Sequence, residues 1–162
     1  MKRLLLMRHA KSSWKETELP DHDRPLKGKG EKNAEAMGKF LKSKDLVPDI
    51  IITSSAVRAV KTAELVAQKS GTKGDVVKLD ALYMAEPSVW LDSLRAHADH
   101  QKVVLMVGHN PGMEALLQLL TGKVESLQTA CVAYLAVDIK SWKDLNEKTG
   151  FELKKLWHPK DA

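Results

Sequence analysis

The stretch Arg3-Leu4-Leu5-Leu6-Met7-Arg8-His9-Ala10 passes without a break from four apolar residues to a cation and an imidazole. A strand with one wet face alternates apolar and polar positions. A run apolar at consecutive positions reads instead as a strand covered on both faces. The chain repeats the pattern at Val103-Val104-Leu105-Met106-Val107, which runs into Gly108-His109-Asn110-Pro111-Gly112. Ile50-Ile51-Ile52 is a third buried strand, β-branched throughout, and leads into Thr53-Ser54-Ser55. Val76 to Leu79, Val132 to Val137 and Phe151 to Trp157 complete the set, the last expected to be antiparallel and at an edge.

Helical periodicity fills the intervals. After Gly28 and Gly30, Ala36, Met37, Phe40 and Leu41 share one face, up to the break at Val47-Pro48-Asp49. Ser54 or Ser55 is expected to cap a helix carrying Val60, Ala63, Val66 and Ala67, closed by Gly71. Glu86-Pro87-Ser88 opens a third helix with Leu91, Leu94 and Ala98 inward. Met113, Leu116, Leu117 and Leu120 stripe a fourth, stopped by Gly122. Strands alternating with helices predict a three-layer α/β/α architecture with a mostly parallel central sheet. No linker divides the chain, so residues 1–162 are expected to form one domain.

Composition narrows the function classes. The net charge of +5 favours anionic partners, but the lysines are scattered and not interleaved with aromatics, which argues against nucleic acid. Cys131 is the only cysteine, so there is neither an intrachain disulfide nor a paired-cysteine metal motif, as expected of a cytoplasmic protein. Lys2-Arg3 before Leu4-Leu5-Leu6 is too short an apolar stretch for a signal peptide, and no segment has the length of a membrane span. Asp21, His22 and Asp23 read as solvated loop residues, with no metal and no cofactor expected. Residues 8–27 form a long polar loop, a length that usually serves function.

In parallel sheets ligands sit beyond the carboxyl ends of the strands. The strand ends here supply Arg8 and His9, then Ser54, Ser55 and Arg58, and then Gly108 and His109. A pair of arginines together with a helix N-terminus is a phosphate site, because guanidinium forks match phosphate oxygens and free helix N–H groups add positive charge. Neighbouring cations disfavour a charged imidazole, so a histidine among them stays neutral and nucleophilic.

These segments, "LLLMRHAKSSW", "DRPLKGKG", "SSAVRAVKTAEL" and "LMVGHNPG", resemble the histidine phosphatase superfamily, the phosphoglycerate mutase-like branch, and within it the SixA-like phosphohistidine phosphatases. The resemblance runs from about Lys2 to Leu120, and its specificity lies in the order of the motifs. It implies a phosphoglycerate mutase-like fold with strand one beside strand four. It implies His9 as the nucleophile that takes the phosphoryl group, Arg8 and Arg58 as its anion ligands, and His109 as a donor to the developing charge. Arg24, in "DRPL", matches an arginine near the phosphate pocket, and no metal is required.

Ser13 is a further candidate phosphate donor, and Trp14 either flanks the mouth or packs beneath the loop. Glu86 is either a general acid or a residue favourable to the helix dipole. Ester-cleaving members protonate a basic alkoxide, and "LYMAEP" matches their acid motif poorly. Imidazole, with a pKa of about 6.5, leaves with far less help. The expected substrate is therefore phosphohistidine in a protein. A small phosphorylated substrate of an ester phosphatase and a catalytically silent phosphoprotein-binding module remain the alternatives.

Overall fold

The computed structural model describes residues 1–162. Its strands are β1 (Lys2–Arg8), β2 (Ile50–Ser54), β3 (Val76–Leu79), β4 (Val103–Gly108), β5 (Val132–Val137) and β6 (Glu152–Trp157). They form one sheet in the order β3-β2-β4-β1-β5-β6. The first four in that order are parallel to one another. β5 runs antiparallel to β1, and β6 antiparallel to β5 at the edge. The parallel block is the expected one. The reversal at β5 makes the sheet mixed.

Four helices cover it: α1 (Gly28–Ser43), α2 (Val57–Ser70), α3 (Pro87–His97) and α4 (Gly112–Thr121). The pleat explains the unbroken apolar runs. Leu4, Leu6, Ile50, Ile52, Val104 and Met106 pack with residues of α3 and α4. Their neighbours Leu5, Met7, Ile51, Leu105 and Val107 pack on the opposite face with residues of α1 and α2. Each such side chain, once buried, contributes roughly 1.5–3 kcal/mol. A strand between two helical layers therefore takes a polar residue only where that residue finds a hydrogen-bond partner, as Thr53 and Ser54 do at the end of β2.

The helix faces differ in detail from the periodicity reading. α1 buries Ala34, Met37 and Leu41 together with Gly30 and Gly38, while Ala36 and Phe40 stay half-buried. α2 is not capped by a serine: Ala56 holds the N-cap position, and no side chain caps it. Gly71 and Gly122 close α2 and α4 in the left-handed conformation, at φ 73° and 74°. No helix is long and apolar enough to cross a membrane.

Register places the site. Arg8 of β1 lies opposite Gly108 of β4, and His9 N–H donates to the Gly108 carbonyl at 3.0 Å. Both histidines thus leave adjacent strands at the same level. A Cβ on Gly108 would stand 2.5 Å from the Trp90 ring, so only glycine lets β4 end against α3.

Candidate active site

The loop after β1 is anchored before it can wander. Ser12 bridges Leu26, Ser13 N–H donates to Pro25 O at 2.8 Å, and Asp21–Asp23 form a short 3-10 turn. That path returns Asp21 and Arg24 to the rim where β1, β4 and α2 meet. Arg8, His9, Arg24, Arg58 and His109 line one open pocket of about 350 Å³. Asp21 is the one carboxylate in its wall.

His9 is buried, and its two ring nitrogens have separate partners. Nδ1 lies 2.7 Å from the Ala10 carbonyl, a contact only an Nδ1–H can make favourably. Nε2 therefore carries the lone pair, and it accepts from Arg58 Nε–H at 3.4 Å. Burial, followed by the charges of Arg58, Arg8 and Arg24, lowers the His9 pKa to about 4 against the opposing bond to Ala10. The ring is neutral at physiological pH. Ala10 N–H donates to Thr62 Oγ1 at 3.0 Å, and Thr62 in turn donates to Arg58 O at 2.7 Å, so α2 is tied to the residue after His9.

His109 faces His9 with ring centroids 5.1 Å apart. Its Nε2 lies 2.8 Å from Ser54 Oγ. That oxygen also accepts from Ala56 N–H at 3.2 Å, and His109 Nε2 is the acceptor within reach of its proton. Nδ1 then carries the ring proton. It is buried and has no partner in the protein, the nitrogen left for a ligand. Burial first, then the charges of His9 and Arg58, bring the His109 pKa down to about 3.

The arginines are held from behind. Arg8 Nη1 donates to Leu127 O at 3.2 Å, and Arg8 Nε is a second buried donor without a partner. Arg58 donates to the Asp21 carbonyl at 2.6 Å and to its carboxylate at 2.9 Å. Arg24 donates to Asp21 at 3.1 Å, to Ser12 Oγ at 2.7 Å and to Ser13 O at 3.2 Å. Its guanidinium lies 3.5 Å from the centroid of the exposed Trp14 ring. Tyr83 O–H also donates to Asp21. These donors, Tyr83 foremost, hold the Asp21 carboxyl well below the usual carboxylate range.

Two candidates from the sequence fall outside this pocket. The Ser13 hydroxyl accepts from Lys15 N–H at 3.2 Å and is not in the wall, where Ser12 stands instead. One residue of register in the loop decides which serine turns inward. Glu86 is exposed at the N-cap of α3 and lines a neighbouring cleft of about 160 Å³, which shares Met84, His109 and Asn110 with the pocket. Cys131 is buried with Sγ 3.1 Å from His158 Nδ1, and burial pushes its thiol pKa up. Sequence reasoning set Ser54 at the converging strand ends and Thr62 in the segment that carries the resemblance, but gave neither of them, nor Asp21 or Tyr83, a role in the site. Thr62, one helical turn after Arg58, and Asp21, three residues before Arg24, left local signals; Tyr83 left none.

The model of the histidine phosphatase superfamily (branch 1) matches residues 4–83, which hold Arg8, His9, Arg24 and Arg58. The chain belongs to the histidine phosphatase superfamily. As a histidine phosphatase it has a relative along nearly its whole length. An uncharacterised chloroplast protein of Arabidopsis thaliana is 32% identical over 171 residues, covering 98% of this chain and 78% of the relative. Two solved structures assigned as phosphohistidine phosphatase SixA share the fold. The one from Nakamurella multipartitia is 27% identical with a TM-score of 0.86, covering 98% of this chain and 96% of its own. The one from Agrobacterium tumefaciens is 28% identical with a TM-score of 0.82, covering 98% of each chain. Family and neighbours together support a phosphatase.

Proposed function

We propose that the chain hydrolyses phosphohistidine in a protein, through a phosphoryl group carried transiently on His9. The observation that carries the reading is His9 itself: Nδ1–H is bound to Ala10 O, and the bare Nε2 stands beside the Arg58 guanidinium. The Nε2 lone pair attacks phosphorus and forms the new N–P bond. The N–P bond to the substrate imidazole breaks, and that nitrogen leaves with the electron pair and takes a proton from solvent water in the open pocket. A water then attacks phosphorus, the His9 N–P bond breaks, and orthophosphate is released with His9 neutral again. Arg8 and Arg58 hold the equatorial oxygens, and His109 Nδ1–H donates to the charge that develops there. Both rings sit on strand ends or their next residue, so little freedom is lost on reaction.

Two features favour a protein substrate. The pocket is open to solvent with basic walls, and no acid stands in its wall except Asp21, whose carboxylate is bound by Arg24, Arg58 and Tyr83. A leaving imidazole needs little acid help, an alkoxide a great deal. A second reading, hydrolysis of a small phosphate ester, is favoured by Glu86 beside the cleft that adjoins His109. Quenched incubation with labelled phosphohistidine protein separates the readings. Acid-labile, base-stable phosphate on His9, absent from His9→Ala, supports the mechanism. Faster turnover of alkyl phosphate than of phosphohistidine, lost in Glu86→Gln, supports the ester reading. No label and no turnover of an aryl phosphate makes the chain a binding module.

A further inference from the structure

A second basin of about 350 Å³ opens beside the first. Lys11, Lys29, Lys160 and His158 stand in its wall with Asn33 and Thr129, and the wall holds no hydrophobic residue and no carboxylate. Lys11 and Thr129 border both basins. None of the three lysines is paired with a carboxylate. Asp161, the acid next to Lys160, is turned to the chain and accepts from His158 N–H at 2.8 Å. Across the two basins seven cations face a single carboxylate, Asp21, which is itself spent on Arg24 and Arg58.

The shared wall is rigid. Lys11 O accepts from Lys27 N–H at 2.9 Å, and α1 approaches so closely that a Cβ on Gly30 would fall 2.2 Å from that oxygen. The N-terminus of α1, with no side chain capping it, adds positive potential at the same place. Ammonium groups gathered around a concavity repel one another, and an anion between them relieves that repulsion.

We infer that this second basin is an anion subsite, holding a carboxylate or phosphate carried by the same molecule whose phosphoryl group enters the His9 pocket. The inference rests on the first basin being the phosphoryl site. In a phosphoprotein the group is an acidic side chain near the phosphohistidine; in a small substrate it is a second phosphate. The basic groove thereby selects substrates by a charge set apart from the reacting one.

The test is the double variant Lys29→Gln/Lys160→Gln, whose two exposed sites lie on α1 and on the C-terminal turn. Two substrate pairs are compared by kcat/KM: a phosphohistidine peptide flanked by Glu or by Gln, and phenyl phosphate with or without a second phosphate on the ring. The wild-type protein prefers the doubly anionic member of at least one pair, and the variant reduces that preference about tenfold, through KM with kcat retained. About 0.5 M salt weakens the wild-type preference in the same direction. Loss in the peptide pair assigns the subsite to a protein, loss in the aryl pair to a small molecule. Peptides that are not turned over at all sink the phosphoprotein reading and leave the aryl pair to judge the subsite. No wild-type preference in either pair, or a preference the variant leaves unchanged, overturns the inference.

Discussion

Asp21 clamps Arg58 twice: its main-chain carbonyl accepts at 2.6 Å and its carboxylate at 2.9 Å. The two residues are 37 positions apart, and the clamp fixes the guanidinium whose Nε–H meets His9. Asp21 is thus a positioning residue whose side chain is half exposed yet fully engaged. Asp21→Asn removes the ionic part of the clamp and frees Arg24 at the same time. We expect kcat/KM on an aryl phosphate to fall about 10- to 100-fold, the scale of a 1 Å misplacement. Steady-state kinetics check this, and unchanged kcat/KM would show that the clamp does not position Arg58.

The acid limb of activity should lie far below an ordinary histidine. The proposed attack by His9 requires the neutral ring, and its pKa is lowered to about 4. kcat/KM is therefore expected to hold through pH 6.5 and decline near pH 4. Stability runs the same way. Between the unfolded value of about 6.5 and the folded value, the unfolded chain binds the extra proton, so stability is full above pH 6.5 and is lost as pH falls. His109, lowered to about 3, adds to the slope, at roughly 1.4 kcal/mol per pH unit for each ring. A pH–rate profile and urea melts at stepped pH test the two halves separately.

Ser54→Ala should loosen His109 without touching His9. It deletes the proton that goes to Nε2 and the acceptor for Ala56 N–H. With either tautomer then allowed, kcat is expected to drop about tenfold or more while KM changes less. Nitrogen-15 NMR of the histidine rings should show His109 move from a single Nδ1–H form to a mixture. A ring that keeps one tautomer in the variant would argue that Ser54 only packs.

Gly108→Ala places a Cβ 2.5 Å from Trp90 and 3.0 Å from Met113. Trp90 is fully buried and cannot retreat freely, so the end of β4 must shift. A loss of about 1–3 kcal/mol is expected in chemical denaturation. Because His109 is the next residue, activity under folding conditions should fall as well.

The sequence by itself determined the layers and which side chains gather at the carboxyl ends of the strands. Consecutive apolar residues at Leu4–Met7, Ile50–Ile52 and Val103–Val107 encode burial on two faces, and burial is a property each residue carries alone. Arg8, His9, Arg58 and His109 could be named because each follows such a run closely, and strand ends in parallel sheets converge. The antiparallel turn at β5 was not written there, since an apolar strand such as Val132–Val137 suits either direction. Nor was the fate of the polar residues: Ser54 turns to His109 instead of capping α2, Ser12 faces the pocket in place of Ser13, and Asp21 reaches Arg58. Those pairings depend on strand register and on the path of the loop between Ser12 and Leu26. Both are set by packing between elements distant in the chain, so no local pattern records them.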